Sequence, residues 1–151
     1  MNFKRILVPV DYSVHSKNSL EYAAGLAERF GAKLDVVHVW DRPTYVPDTV
    51  VVVKEGESKS LADMIRENAE REMREFLATA KLPTGVAVTE RLLSGDPATT
   101  LVEELGKGEH DLVVVGTHGR TGITHLILGS IAEKLVRSSP VPVLTVPKAK
   151  S

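Results

Sequence analysis

The sequence predicts an α/β protein whose mainly parallel sheet is covered by helices on both faces. Short apolar runs such as Ile6–Val10 and Leu112–Val115 are typical of strands that are buried on both sides. Segments with apolar residues at helical spacing separate these runs. Strands that alternate with helices form parallel sheets through right-handed crossovers. The length of 151 residues is that of one domain, so residues 1–151 are interpreted as a single domain.

The first half of the chain begins with the strand Ile6–Val10. Asp11 and Ser13 follow it, and both residue types can cap the N-terminus of a helix. Gly31 stands where a C-capping glycine ends that helix. The apolar run Leu34–Trp40 predicts the second strand.

A polar connection comes next. Asp41–Glu57 contains two prolines and no helical period, which predicts a loop. Within it, Val50–Val53 is apolar and is either an edge strand or a patch that a partner subunit covers. Ser60 and Asp63 resemble a capping box and predict the start of the second helix.

The third and fourth strands enclose a short helix. Val86–Leu93 alternates over part of its length, which predicts a third, less buried strand. Asp96 with Pro97 predicts a helix N-terminus, and this helix ends near residues 106–108. The fourth strand is Asp111–Gly116.

The last two elements are a helix over Leu126–Ser138 and a fifth strand over Pro140–Pro147. The prolines of that strand place it at an edge of the sheet, because proline cannot donate to a ladder. An apolar edge favours pairing with a symmetry mate. The sequence therefore predicts a homodimer, or a higher oligomer built on it, through Val141–Val146.

Composition excludes several classes of function. The chain has 19 Lys and Arg against 20 Asp and Glu, so it lacks the basic excess of proteins that coat nucleic acid or anionic membranes. It has no cysteine, which excludes disulfides, thiol catalysis and iron–sulfur clusters. The N-terminus lacks the apolar stretch of a secretory signal, and no run is long enough to span a bilayer. We expect a soluble cytoplasmic protein.

The most informative segment follows the fourth strand. It carries Gly116, Gly119 and Gly122 within seven residues, and Gly129-Ser130 comes shortly after. A loop of backbone N–H groups beside a helix N-terminus is an anion site, and phosphate is its natural occupant. The alternative is that these glycines only turn the chain. The segment is not a Walker A loop, a dinucleotide fingerprint or a nucleophile elbow.

Three other side chains near this segment are candidates for binding. Asp11 would repel phosphate and therefore suits ribose hydroxyls, unless it only caps a helix. Arg120 offers a permanent positive charge to phosphate, and its alternative is a solvated loop arginine. His118 either touches phosphate or is an exposed loop histidine. No histidine has the spacing of a metal ligand, and no pair of groups is placed for catalysis.

These residues resemble the universal stress protein family in its ATP-binding form. That family carries glycine, two residues, glycine, nine residues, then glycine with serine or threonine, as do Gly116, Gly119, Gly129 and Ser130 here. The opening Ile6–Ser13 is also similar, and the resemblance covers essentially the whole chain. It implies a Rossmann-like, doubly wound, five-stranded parallel sheet in the order 3-2-1-4-5, with two helices on each face.

The resemblance also implies a function, an ATP-binding regulatory protein of the stress response. ADP or AMP are alternative ligands, and Mg²⁺ or Mn²⁺ can accompany the nucleotide. The site sits at the carboxyl ends of the first, second and fourth strands. The residues expected to bind the nucleotide are Pro9, Val10, Asp11, Val39, Gly116, His118, Gly119, Arg120, Gly129, Ser130 and Ile131.

Two alternative functions stay open. One is a slow ATPase on the same fold, although the sequence lacks the His-x-Gly-His and Ser-Gly-Gly-x-Asp-Ser loops of related enzymes. The other is a dimeric interaction module that needs no nucleotide.

Overall fold

The computed structural model of this chain describes residues 2–40, 47, 49–119 and 128–148. Within those ranges no helix has the length and apolar character needed to cross a membrane. The strands are, in chain order, β1 (Arg5–Pro9), β2 (Lys33–Trp40), β3 (Val51–Lys54), β4 (Glu57–Ser60), β5 (Val88–Ser94), β6 (Leu112–Gly116) and β7 (Val143–Val146). The helices are α1 (Val14–Phe30), α2 (Leu61–Thr79), α3 (Pro97–Gly106) and α4 (Ser130–Ser138).

The main sheet is parallel and has the order β5-β2-β1-β6-β7. Numbered over its five strands alone, this is the order 3-2-1-4-5 that the family resemblance implied, so that expectation is confirmed. The central strand β1 pairs on both sides: Ile6 lies opposite Leu34 of β2 and Leu112 of β6. β2 and β5 lie on one side of β1, and β6 and β7 lie on the other. The strand order therefore reverses at β1, and a crevice opens there at the carboxyl ends of the strands.

The first three predicted helix starts have their expected caps. The Oγ atoms of Ser13 and Ser60 accept from the N–H groups of Ser16 and Asp63, and the carboxylate of Asp96 accepts from Thr99 N–H. These bonds satisfy donors that the first helical turn leaves free. The predicted stop of the first helix is also confirmed, because Gly31 has a φ of 65° and its N–H donates to Ala27 O.

Two apolar layers hold the helices on opposite faces of the sheet. On one face α1 and α2 pack against β1 and β2 through Leu20, Ala24, Met73 and Phe76, which meet Ile6, Val8, Leu34 and Val36. On the other face α3 and α4 supply Leu101, Leu105, Ala132 and Leu135, which meet Leu7, Val37, Val39, Val113 and Val115. The alternation along each strand divides its side chains between the two layers, which explains why these strands are apolar throughout.

The prediction of a loop over Asp41–Glu57 is wrong for its described part. β3 and β4 form an antiparallel hairpin apart from the main sheet, in which Val51 pairs with Ser60 and Lys54 with Glu57. Glu55 and Gly56 connect the strands with φ values of 53° and 83°. Two successive residues in the left-handed region make the tight turn that joins twisted strands. The alternative interpretation of Val50–Val53 as a strand is confirmed over Val51–Val53, which belongs to this hairpin and not to an edge of the main sheet.

Three predicted elements are also shorter in the structure. The last helix begins at Ser130, with Leu128 and Gly129 outside it, rather than at Leu126, which is not among the described residues. The third parallel strand begins at Val88, and the last runs over Val143–Val146. In each case apolar residues continue in the sequence beyond the end of the helix or strand. Hydrophobicity alone therefore predicts elements that are too long.

Candidate functional site

A cavity lies at the carboxyl ends of β1, β2 and β6, beside the N-termini of α3 and α4. We call it the strand-end cavity. Open parallel sheets bind ligands at this edge, where the strand order reverses. Its lining residues are Pro9, Val10, Asp11, Ser16, Val37, His38, Val39, Pro97, Leu101, Val115, Gly116, His118, Gly119, Gly129, Ser130, Ile131 and Ala132.

The structure brings together nearly all the residues that the sequence nominated for binding. Those lining the strand-end cavity are Pro9, Val10, Asp11, Val39, Gly116, His118, Gly119, Gly129, Ser130 and Ile131. Arg120 lies outside the described residues. The shared location is a finding of the fold. Which of these residues bind a ligand stays a prediction.

The backbone comes close to two glycines of the motif, Gly129 most tightly. A Cβ on Gly129 would lie 3.3 Å from Thr117 O and 3.8 Å from Gly119 N. One on Gly116 would lie 3.4 Å from the carbonyl oxygens of His15 and His118. None of these three glycines has a positive φ, so the left-handed region is not what the motif needs. The glycines form a tight cradle in which main-chain groups border the cavity directly.

The N-terminus of α4 opens into this cradle. Gly129 is the N-cap and no side chain caps the helix, whereas Gly129 N–H itself donates to Thr117 O at 2.8 Å. The first N–H groups of a helix have no partner within it, and the helix dipole adds positive potential there. The cradle that a Cβ would fill and the uncapped helix start together fit an anionic group such as phosphate.

Asp11 borders the cavity from the end of β1. Its Oδ1 accepts from Ser13 N–H at 3.0 Å and from the Ser13 hydroxyl, while its own N–H donates to Ser16 Oγ at 3.3 Å. The cap of α1 is Ser13, so the alternative interpretation of Asp11 as the N-cap is wrong. Its Oδ2 faces Gly119, where a Cβ would lie 3.2 Å away. The carboxylate is thus held at one oxygen and directed to the glycine cradle by the other.

Two histidines flank the cradle. Thr117 Oγ1 and His118 Nδ1 are 2.9 Å apart, and the rings of His118 and His15 lie 5.9 Å apart between centroids. Among the described residues, no group of three or more His, Asp or Glu side chains is placed so that it could hold a metal ion.

The sequence reasoning missed part of the lining. Ser16 and His38 come from α1 and β2, and Pro97 and Leu101 come from the start of α3. The N-terminus of α3 follows β5, whose carboxyl end lies at the same edge of the sheet. The order of strands implied by the family would have placed α3 there, whereas no local motif marks these residues.

A second polar region lies nearer the amino end of β2, under α3, and we call it the buried ion cluster. Asp35 is fully buried and accepts from Arg5 Nη2 at 3.0 Å, Arg91 Nη1 at 3.1 Å and His110 Nε2 at 2.8 Å. Glu104 is also buried and accepts from the same arginine, Arg91, at 2.6 Å.

These contacts determine the charge of the buried carboxylates. Burial acts to raise the pKa of Asp35, but hydrogen bonds from His110, Thr89 and Arg91 outweigh it and hold the pKa well below its usual range. For Glu104 burial is likewise outweighed, by Arg91 and Lys107, and its pKa is lowered. Both groups are therefore ionised at neutral pH. Asp35 within the apolar second strand was a signal that the sequence analysis did not use.

The fold and the cavity define a doubly wound α/β protein with a glycine-lined cavity at its strand ends. The family model described as the universal stress protein family matches residues 2–147. A universal stress protein of Methanocaldococcus jannaschii is 31% identical over 148 residues, which are 98% of this chain and 84% of that protein. The chain belongs to the universal stress protein family.

Solved structures show the same fold. The hypothetical protein MJ0577 superposes with a TM-score of 0.76 over the full length of both chains, at 23% identity. A universal stress protein solved in complex with cAMP has a TM-score of 0.60 and 25% identity, and the match covers 97% of this chain and 98% of the other.

Proposed function

We propose that this chain binds an adenine nucleotide, with ATP as the main candidate, in the strand-end cavity. We also propose that it acts in the stress response as a nucleotide-sensing regulatory protein. The observation that carries the proposal is the meeting of three features in one cavity: the glycine cradle, the uncapped start of α4 and the Asp11 carboxylate. The relative that was solved with cAMP, a phosphorylated adenine nucleoside, supports the class of ligand.

The phosphate end of the ligand belongs at the cradle. The backbone N–H groups of Gly119, Ser130 and Ile131 would donate to phosphate oxygens, and the Ser130 hydroxyl would add a further donor. Such a site needs little basic charge, which agrees with the balance of 19 basic and 20 acidic residues. Arg120 and His118 are the cationic candidates at this end, and Mg²⁺ or Mn²⁺ would bind through the phosphates.

The nucleoside end belongs between β1, β2 and α3. Asp11 would accept from ribose hydroxyls, since a carboxylate favours a hydroxyl donor over a phosphate. Val39 would present its main-chain N–H and C=O to the edge of adenine. Pro97 and Leu101 supply apolar surface for the base on the side of α3.

Titration calorimetry with ATP tests this proposal. We expect saturable binding by the wild type and at least about tenfold weaker binding by Gly129→Ala, because the new Cβ enters the cradle next to Thr117 O. Gly119→Ala should also weaken binding, because its Cβ would lie 3.2 Å from Asp11 Oδ2 and displace that carboxylate. Gly25→Ala is the matched control: it lies in α1 with open space around its Cβ position, so binding should not change. Absence of binding by wild type at millimolar ATP would falsify the proposal.

We also propose that the protein forms a homodimer through β7 and its flanks, Val141–Val146. β7 is an end strand of the main sheet, and no described strand pairs with its outer side. Sedimentation at micromolar concentration should give twice the monomer mass. Replacing Thr145 by proline should shift the species toward monomer, since the N–H of Thr145 lies on the outer side of β7 and proline cannot donate to a ladder.

A further inference from the structure

The hydrogen-bond ladder between β1 and β2 stops at an unusual point. Lys33 N–H donates to Lys4 O on the side of β1, and Leu34 N–H donates to Ala87 O on the side of β5. Because main-chain groups alternate in direction along a strand, the odd-numbered residues of β2 face β1. Val37 follows this rule, since its carbonyl accepts from Val10 N–H at 2.9 Å. Val39 is the next residue that faces β1.

A continued parallel ladder would join Val39 N–H to Val10 O. The described part of the chain contains no such bond, and the register between the strands ends at Pro9 opposite Val37. Val10 O instead contacts His38 Nδ1 at 2.7 Å. A carbonyl only accepts, so Nδ1 carries the proton and the imidazole donates.

The same imidazole also holds the residue that follows Asp11. Tyr12 has a φ of 65°, a left-handed conformation that is uncommon for a residue other than glycine. Its ring stacks on His38 with centroids 4.3 Å apart and an angle of 29° between the planes, and Phe76 lies on it at 5.3 Å. His38 therefore contacts the residue before Asp11 through a hydrogen bond and the residue after it through a stack.

We infer that His38 is a positioning residue that keeps the main-chain edge of Val39 available to a ligand in the strand-end cavity. Its hydrogen bond directs Val10 O toward the imidazole and away from Val39 N–H, so the ladder stops one bond early. Val39 then presents an N–H donor and a C=O acceptor to the cavity, which it lines. This pattern matches the edge of adenine, with an acceptor ring nitrogen beside a donor amino group. The edge of hypoxanthine has a ring N–H donor beside a carbonyl acceptor, which is the reverse pattern and does not match the main-chain groups of Val39.

This inference rests on the proposed function for its ligand, but two measurements test it without one. The first is the tautomer of His38 in wild type, read from the ring nitrogen shifts in a long-range ¹H–¹⁵N spectrum. We expect the proton on Nδ1. A neutral ring with its proton on Nε2 alone overturns the inference, because Nδ1 could not donate to Val10 O.

The second measurement is amide hydrogen exchange of Val39, with Val37 as the internal reference inside the ladder. We expect Val39 to exchange faster than Val37 in wild type. In His38→Phe the ring can still stack on Tyr12 but cannot donate, so Val10 O becomes free to accept from Val39 N–H. Exchange at Val39 should then slow at least about tenfold. His38→Asn keeps an N–H donor on the same side-chain carbon and should behave as wild type. Equal Val39 rates in wild type and His38→Phe overturn the inference.

Binding supplies the third measurement. We expect wild type to prefer ATP over ITP, and His38→Phe to lose about tenfold of that preference, the equivalent of one hydrogen bond. His38→Asn should keep it. An unchanged preference in His38→Phe contradicts the role of His38. If the wild type binds neither nucleotide, the proposed function falls, and the tautomer and exchange results still decide whether His38 holds the ladder open.

Discussion

Asp35 and Val39 lie on the same face of the same strand, about 13 Å apart for four residues of extended chain, yet they belong to opposite kinds of polar region. At Asp35, in the buried ion cluster, charged side chains from four segments satisfy one another. At Val39, in the strand-end cavity, Asp11 is the one acidic side chain among the described lining residues, and the other polar side chains there are two serines and two histidines. The charged groups of the buried ion cluster are directed at one another, whereas the polar groups at the strand ends border a cavity.

Removing the centre of the buried ion cluster should have the largest effect. We expect Asp35→Ala to lower the free energy of unfolding by about 3–5 kcal/mol, because it leaves the donors of Arg5, Arg91 and His110 without their shared acceptor. Urea denaturation measures this change in the free energy of unfolding. The control is Glu109→Ala, which removes an exposed partner of Arg5 and should cost under about 1 kcal/mol. Equal losses in the two variants would contradict the distinction drawn between buried and exposed charge.

Acid should weaken the same cluster. The folded-state pKa of Asp35 lies below its unfolded value of 3.8, so its contribution is present above about pH 4 and is lost as pH falls below that. The lowered pKa values of Glu104 and Asp111 act in the same direction. Unfolding free energies measured between pH 2 and pH 6 should fall more steeply toward acid in wild type than in Asp35→Asn. Parallel curves would show that this carboxylate does not couple folding to protons.

Changing the Asp11 carboxylate in the strand-end cavity should affect binding more than stability. Asp11→Asn keeps an Oδ1 acceptor for Ser13 N–H but loses the charge. We expect the affinity for ATP to fall about tenfold, the value of a charge-assisted hydrogen bond to ribose, with little change in melting temperature. Tighter binding by this variant would mean that Asp11 faces phosphate and repels it.

The smallest effect should come from Ser130 at the start of α4. Ser130→Ala removes one hydroxyl donor but leaves the backbone N–H groups of the helix in place. We expect the affinity for ATP to fall about two- to fivefold, as for one neutral hydrogen bond of about 0.5–1 kcal/mol. A loss as large as that of Gly129→Ala would show that the hydroxyl, and not the cradle of main-chain donors, dominates the site.

Sequence patterns predicted the features whose physical cause lies within a few neighbouring residues. Apolar runs predicted four of the five parallel strands because strands covered on both faces have few polar side chains, and partial alternation predicted the less buried β5. Ser13, Ser60, Asp96 and Gly31 marked helix ends because caps act within a few residues. The glycine motif with Asp11 identified most of the cavity lining, through the resemblance to a known family. A strand at Val50–Val53 was one of two interpretations, but its partner Glu57–Ser60 was missed because that segment has no apolar run.

Tertiary structure alone decided which distant groups meet. No spacing in the sequence relates Asp35 to Arg5, Arg91, Glu104 and His110, since these residues come together only when β1, β2, β5 and α3 are assembled in three dimensions. The same holds for His38, whose contacts with Val10 and Tyr12 depend on the register of β2 against β1. Periodicity and capping are properties of neighbouring residues along the chain, whereas partnered charges and an interrupted ladder depend on how separate strands are aligned.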